Sequence, residues 1–112
     1  MDIAFADSSL RELCNSSKGL RRRYGADGEK KIRRRLDELA AASTLAVLRS
    51  LPAAHCEELK GGRKGQLSIR LHGAFRLIFE PQESPPPAKP DGGLDWTAIT
   101  AIRVLAIEDY HD

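Results

Sequence analysis

The stretch LSIRLHGAFRLIF, residues 67–79, decides the fold of this chain. Alternate residues are apolar in 67–71 and again in 75–79, and Gly73 lies between the two runs. A period of two is typical of β-strands that bury one face, and a glycine suits the tight turn between them. The stretch therefore predicts a β-hairpin with one apolar face.

The spacing of apolar residues before the hairpin predicts a strand over 2–6 and helices over 8–14, 27–42 and 45–51. Residues 16–19 are expected to end the first helix. Oxygen-bearing side chains are expected to cap the three helices, at Ser8 or Ser9, at Asp27, and at Ser43 or Thr44. Pro52 is expected to end the third helix.

Two features follow the hairpin. Residues 81–93 hold five prolines and two glycines, which predicts a flexible loop, either a mobile flap or an insertion without a role. Residues 96–108 are apolar on both faces, which is typical of a strand inside a sheet. We therefore expect a single domain over residues 1–112 of the α+β class, with N-terminal helices packed on one face of a mostly antiparallel sheet.

Composition narrows the class of protein further. No apolar run approaches the roughly 20 residues that span a bilayer, and no basic segment precedes an apolar one at Met1, so we expect a cytoplasmic protein without membrane contact. The two cysteines, Cys14 and Cys56, are expected to be free thiols rather than a disulfide. We assign no metal site and no cofactor.

Charge is distributed unevenly along the chain. The net charge is only +2, yet residues 11–35 hold ten basic and three acidic side chains, and residues 60–76 hold five basic side chains and no acid. Two separate basic segments favour an anionic partner, of which nucleic acid is the commonest. Acidic residues concentrate instead near the C-terminus.

The predicted sheet places candidate chemistry on one face. If one face of the hairpin meets the helices, the other carries Arg70 and Arg76 together with whatever follows the last strand. The glycine-rich turn over 60–65 adds Lys60, Arg63 and Lys64, and flexible glycine backbone suits close approach to phosphate. The face is therefore expected to be basic.

Cleavage of RNA fits such a face. The ribose 2′-hydroxyl is an internal nucleophile, so an enzyme needs a base, an acid and cations but no metal. A histidine such as His111 ordinarily titrates near pH 6.5, and Arg76 can bind phosphate oxygens bidentately. Tyr110 could stack on a base or donate its hydroxyl, and Asp109 could orient the imidazole.

Three segments in this order, HCEELKGGRKGQLSIR (55–70), FRLIF (75–79) and DYH (109–111), resemble the HigB-type plasmid maintenance killer proteins of the RelE toxin superfamily. The resemblance implies the RelE-like fold and a metal-independent, ribosome-dependent mRNA endoribonuclease. It also implies a helix-turn-helix antitoxin of the HigA type, through which alone operator DNA is bound. The sequence departs from the family in Phe75, where tryptophan or tyrosine is usual, and in the long 81–93 loop.

The resemblance and the chemistry together yield two sets of candidate residues. By position, the family's active site falls on His55, Lys60, Arg76, Asp109, Tyr110 and His111. Basic residues expected to contact messenger or ribosomal RNA are Arg63, Lys64, Arg70, Arg33 and Arg34.

Other interpretations of these residues stay open. The tail could be a frayed terminus, His55 could merely cap or pack, and Arg70 and Arg76 could form structural ion pairs with Glu108 and Asp109. A rival function with the same fold is a ParE-like inhibitor of DNA gyrase. Another is a nucleic-acid-binding module or decayed toxin without catalysis.

Overall fold

The computed structural model describes residues 1–109 of the chain; the predicted site residues Tyr110 and His111 therefore lie outside the described part. Its strands are β1 (Asp2–Phe5), β2 (Glu57–Glu58), β3 (Leu67–Arg70), β4 (Phe75–Pro81) and β5 (Ala101–Asp109). Its helices are α1 (Ser8–Cys14), α2 (Ser17–Ala41) and α3 (Leu45–Arg49), and short 3-10 turns occupy Pro52–Ala54 and Gly61–Arg63. Within residues 1–109 no helix is long and apolar enough to cross a membrane.

The five strands form one sheet in the order β1-β5-β4-β3-β2. β1 pairs with β5 in parallel, and the other three pairings are antiparallel. The predicted hairpin is confirmed as β3 and β4, in which Leu67 lies opposite Phe79 and Ile69 opposite Leu77. The α+β class and the mostly antiparallel sheet are thus confirmed.

The hydrophobic core lies between the helices and one face of the sheet, which we call the inner face. Leu67, Ile69, Leu77 and Phe79 of the hairpin are fully buried there, and they join Ile32 of α2 in one cluster. The opposite face, which we call the outer face, carries the alternate residues of each strand. Burial of one face selects the register, because a slip by one residue would expose the whole apolar set.

The long helix begins earlier than predicted. Ser16 caps α2, since its Oγ accepts a hydrogen bond from Gly19 N at 2.9 Å. The first helix ends at Cys14 as predicted, but the break after it covers only residues 15 and 16, and residues 17–19 already belong to α2. Gly25 interrupts α2 with φ 80° and ψ 173°, a conformation that glycine adopts without a steric penalty. Asp27 was therefore wrongly predicted as a cap; it lies inside α2 and pairs with Lys31 at 3.2 Å.

The other caps are close to expectation. Asp7, rather than Ser8 or Ser9, caps α1 by accepting from Leu10 N at 2.8 Å. Thr44 caps α3, which ends at Arg49, two residues before its predicted end.

The last strand begins later than predicted, at Ala101. Residues 96–99 instead run beside α3, where Leu45 N donates to Ile99 O at 3.0 Å and Ala46 N donates to Trp96 O at 3.1 Å. Ile99 is fully buried by this packing, so its apolar character reflects a helix contact rather than a strand. The predicted loop also begins later, because Pro81 is the buried last residue of β4. Its flexibility stays a prediction; the segment carries an isolated bridge between Ala88 and Leu94.

Helix α2 holds the hairpin in place. The guanidinium of Arg35 donates to Arg70 O at 3.0 Å and to Ala53 O at 2.9 Å, and only 13 % of its side chain is exposed. Tyr24 meets Phe75 edge to face with ring centroids 5.0 Å apart. These contacts fix the strand ends that carry Arg70 and Arg76.

Candidate active site

A row of three charged residues crosses the outer face. Arg70 of β3 lies opposite Arg76 of β4, and Arg76 lies opposite Glu108 of β5. Residues directly opposite each other in antiparallel strands point to the same face, so the three side chains share it. Two arginines side by side repel each other, and anionic groups around them offset that repulsion.

Glu57 is such an anionic group, and the structure brings it to Arg76. Its Oε1 lies 3.7 Å from Nη1 of Arg76, although strand β3 lies between β2 and β4 in the sheet. Its Oε2 lies 3.9 Å from Nε2 of His55. His55 has the left-handed backbone φ 48° after the 3-10 turn, and its side chain is exposed. His55, Glu57 and Arg76 therefore form a connected group.

The 60–65 turn contributes further cations. Nη2 of Arg63 lies 2.5 Å from Oε2 of Glu108, and this ion pair connects the turn to the end of β5. Nε of Arg63 also donates to Gln66 Oε1 at 3.3 Å. Lys60 and Lys64 are exposed beside it. The predicted RNA contacts of this turn thus border the charged row.

The outer face is partly buried beneath these charges. Ser68 and Ile78 lie opposite each other and are buried, and Ser68 Oγ has no hydrogen-bond partner in the described part of the chain. The side chain of Arg76 is only 14 % exposed. Charge interactions beside such partly buried side chains are screened less than in bulk water. This weaker screening favours binding of an anion at Arg76.

The register separates the two acids at the end of β5. Glu108 lies opposite Arg76, whereas Asp109 lies opposite Phe75. The ion pair that we considered between the arginines and Glu108 is instead made by Arg63. The catalytic assignment of Asp109 stays a prediction, as do those of Tyr110 and His111, which follow it outside the described residues.

Arg33 and Arg34 are not brought to the charged row. They belong to α2, which packs on the inner face, and Arg33 Nη1 donates to Ser17 Oγ at 2.7 Å. Arg34 is exposed. Contact of these arginines with ribosomal RNA would therefore involve a surface across the sheet from Arg76.

Neither cysteine is placed to act as a nucleophile. Burial raises the pKa of the Cys56 thiol to about 12, and burial raises the pKa of the Cys14 thiol to about 11. Thiolate is the reactive form, so both groups are inert near neutral pH. Burial also raises the pKa of the Tyr24 phenol. Among residues 1–109, no cluster of three or more His, Cys, Asp or Glu side chains could hold a metal ion.

Sequence reasoning missed Glu57 and Glu108 as members of the site. A signal existed for Glu57, since it lies between two candidates, His55 and Lys60. β2 is only two residues long, however, and periodicity cannot detect so short a strand. Nothing in the sequence indicated that Arg63 rather than Arg76 would reach Glu108.

A model for the RelE-like toxin of the type II toxin-antitoxin system HigB matches residues 3–85. The chain belongs to this HigB-like toxin family. The match covers β1 to β4 and therefore includes His55, Glu57, Lys60, Arg70 and Arg76. It ends before β5, so residues 109–111 lie beyond it.

The fold of this HigB-like toxin is similar to that of a solved relative. The YoeB/ParE toxin from Agrobacterium tumefaciens superposes with a TM-score of 0.53 at 17 % sequence identity, over 100 % of both chains. At this identity the likeness shows a shared fold. No curated protein matches the sequence.

Proposed function

We propose that this HigB-like toxin is a ribosome-dependent endoribonuclease that cleaves translated mRNA. The proposal is supported above all by one arrangement, the row of Arg70 and Arg76 with Glu57 and His55 beside it. Two adjacent arginines on a partly buried sheet face are suited to binding a phosphodiester. The carboxylate and the imidazole next to them can accept or donate protons. Family membership provides independent support.

The proposed reaction uses the RNA as its own nucleophile. The 2′-hydroxyl attacks the adjacent phosphorus and loses its proton to a base, while the 5′-oxygen leaves and receives a proton from an acid. Arg76, with Lys60, stabilises the charge that builds on the phosphate oxygens. No step requires a metal.

Two groups of residues supply the protons in this proposal. Glu57 stands beside Arg76 at 3.7 Å and can accept the hydroxyl proton, with His55 assisting at 3.9 Å from Glu57. His111, Tyr110 and Asp109 form the second group, and His111 is proposed as the acid. The pH dependence of cleavage by each variant then indicates which group acts as the base and which as the acid.

The remaining basic residues are proposed to dock the toxin on the ribosome. Arg63, Lys64 and Arg70 border the site, and Arg33 and Arg34 lie on α2 across the sheet. Affinity for ribosomal RNA should fall steeply with salt, because phosphate contacts release counterions. We further propose a cytoplasmic location and a helix-turn-helix antitoxin of the HigA type, which alone contacts operator DNA.

The test is induction of the toxin in bacteria with mapping of new mRNA 5′ ends. Wild type is compared with Arg76→Ala, Glu57→Gln and His111→Gln. The matched control is Arg103→Ala, since Arg103 is also an outer-face arginine, paired with Glu80 at 2.5 Å. Glu80 lies four residues from Arg76 along β4, or about 14 Å at about 3.4 Å per residue.

The expected result is cleavage within translated codons by wild type and Arg103→Ala. Loss of one group that stabilises the transition state lowers such rates by roughly 10²–10³, so Arg76→Ala should abolish visible cleavage. Growth arrest with intact mRNA in all variants would contradict the proposal and direct the search to DNA gyrase. Harmless expression of the wild type would indicate a non-catalytic module.

A further inference from the structure

Strand β5 contains one residue more than its pairing with β4 requires. Val104 lies opposite Phe79 and Ala106 lies opposite Ile78, so Leu105 between them lies opposite no residue of β4 in the described chain. This arrangement is a β-bulge, in which the extra residue interrupts the ladder. Side chains alternate between the two faces of a strand, so the bulge exchanges the faces for the residues that follow it.

The exchange of faces decides where the side chain of Glu108 lies. Val104 is on the inner face with Phe79, and strict alternation from Val104 would place Glu108 on the inner face as well. With the bulge, Glu108 instead lies opposite Arg76 on the outer face, and Ile107 packs against the core. Bulges are common beside active sites, where they redirect a side chain. The bulge therefore brings a carboxylate into the charged row.

The 60–65 turn is shaped by short-range hydrogen bonds. Lys64 N donates to Gly61 O at 3.2 Å, and Gln66 N donates to Arg63 O at 3.0 Å. A Cβ atom at any of the three glycines of the turn would meet nothing within 4 Å, so the backbone does not pack against the rest of the protein at these positions. Local hydrogen bonds of this kind set the shape of the turn but not its position on the sheet.

One ion pair connects the turn to the sheet. Nη2 of Arg63 lies 2.5 Å from Oε2 of Glu108, which is 45 positions away in the sequence. Nε of the same guanidinium donates to Gln66 Oε1 at 3.3 Å, which restricts its orientation. Within residues 1–109, no other side-chain hydrogen bond or ion pair joins the turn to a distant part of the chain. We therefore expect the position of the turn to depend on this pair.

We propose that Arg63 and Glu108 are positioning residues, which together hold Lys60 and Lys64 of the turn beside Arg76. The consequence for catalysis rests on the proposed function, in which Lys60 stabilises charge on the phosphate. Glu108 acts through Arg63, and Arg63 acts through the backbone of the turn. A lysine on a turn that is free to move loses conformational entropy when it binds phosphate. A turn already held by an ion pair has lost part of that entropy before RNA binds.

The first arm of the test measures the mobility of the turn in the free toxin, without RNA. NMR follows exchange with solvent at the amides of Lys64 and Gln66, which donate hydrogen bonds inside the turn. Breaking a partly exposed ion pair changes an opening equilibrium by about fivefold at most, so we expect Arg63→Gln and Glu108→Gln each to raise both exchange rates about two- to fivefold. The double variant should exchange no faster than Arg63→Gln alone, because both substitutions break the same pair.

Glu80→Gln is the matched control. Glu80 is an outer-face carboxylate of β4 that accepts from Nε of Arg103 at 3.1 Å, and it is not part of the proposed site. Its replacement removes the same charge from the same face without breaking the pair at the turn. The two exchange rates and the cleavage rate should therefore equal those of wild type.

The second arm measures mRNA cleavage on ribosomes and separates kcat from KM. Glu108→Gln should lower kcat about two- to fivefold, because Lys60 is no longer held in place once the ion pair is lost. KM should stay the same or fall, because a negative charge has been removed from the site. In an Arg63→Gln background, the same substitution should have no further effect.

Faster exchange in both single variants, without a further increase in the double variant, would support the proposal. Wild-type exchange in Glu108→Gln, additive effects in the double variant, or a wild-type kcat in Glu108→Gln would overturn it. A wild-type toxin that cleaves no mRNA would contradict the proposed function instead, and the exchange rates would still decide whether Arg63 and Glu108 hold the turn.

Discussion

Oε1 of Glu57 lies 3.7 Å from Nη1 of Arg76, so the guanidinium proposed to bind phosphate already faces a carboxylate in the unbound toxin. The pair joins the edge strand β2 to β4 across β3. An RNA phosphate that reaches Arg76 must share this guanidinium with Glu57 or displace it. We therefore expect the carboxylate proposed to handle a proton also to lower the affinity for RNA.

Replacement of Glu57 by Gln should therefore separate binding from cleavage. Partly exposed ion pairs contribute about 0.2–1 kcal/mol, so affinity for a short oligoribonucleotide should rise by at most about fivefold, while the cleavage rate falls. The matched control is Glu58→Gln, because Glu58 accepts from Trp96 Nε1 at 2.7 Å instead of facing Arg76. Binding is followed by fluorescence anisotropy in low and high salt. Unchanged binding and cleavage in Glu57→Gln would remove Glu57 from the site.

Arg35 is expected to support stability rather than contact RNA. Its guanidinium donates to two backbone carbonyls, those of Arg70 and Ala53. Hydrogen bonds from charged groups contribute about 1.5–3 kcal/mol each, so Arg35→Gln should lower the free energy of unfolding by about 2 kcal/mol or more. Its exposed neighbour provides the control, since Arg34→Gln should change stability by about 0.5 kcal/mol or less. Urea unfolding measures both, and equal effects would show that Arg35 is not a structural arginine.

Gly28 of α2 packs against the hairpin turn. A Cβ atom there would lie 2.7 Å from Cβ of Tyr24 and 3.1 Å from Cδ2 of His72. His72 is partly buried by this packing. Overpacking costs about 1–3 kcal/mol, so Gly28→Ala should destabilise the fold even though alanine favours helix. At Gly62 a Cβ meets nothing within 4 Å, and Gly62→Ala should unfold at the wild-type urea concentration.

The cysteines should make the fold sensitive to alkaline pH. Burial raises the pKa of Cys56 from 9.0 to about 12. In the unfolded chain this thiol ionises first, so the stability that it contributes is complete below pH 9 and is lost as the pH rises toward 12. Cys56→Ala should show a shallower loss of stability over that window than wild type. Coincident pH curves for the two proteins would contradict this expectation.

Thiol titration gives an independent measure of the same burial. At pH 8 the native toxin should react slowly with a disulfide reagent, since both Cys14 and Cys56 are held as neutral thiols. In urea both should react at the rate of free cysteine. Fast reaction of two thiols per native molecule would contradict the burial of both cysteines.

The hairpin illustrates what could be predicted. Alternation in residues 67–79 predicted β3, β4 and the shared face of Arg70 and Arg76, because side chains in a strand alternate and burial of one face leaves a single register. Helix boundaries were less predictable. Ser16 and Asp27 both suit an N-cap. Leu20 lies between them and is fully buried in the core, and only this packing decides that the helix begins after Ser16 and continues through Asp27.

By itself, the sequence determined the α+β class, the hairpin and the common face of Arg70 and Arg76, because these depend on periodicity and on residue type. Only the tertiary structure decided that Glu57 meets Arg76, that Arg63 rather than Arg76 pairs with Glu108, and that β1 lies at an edge of the sheet. Each of these depends on strand order and register between segments far apart in the chain. Such contacts result from how the whole apolar surface is buried at once, which no local pattern encodes.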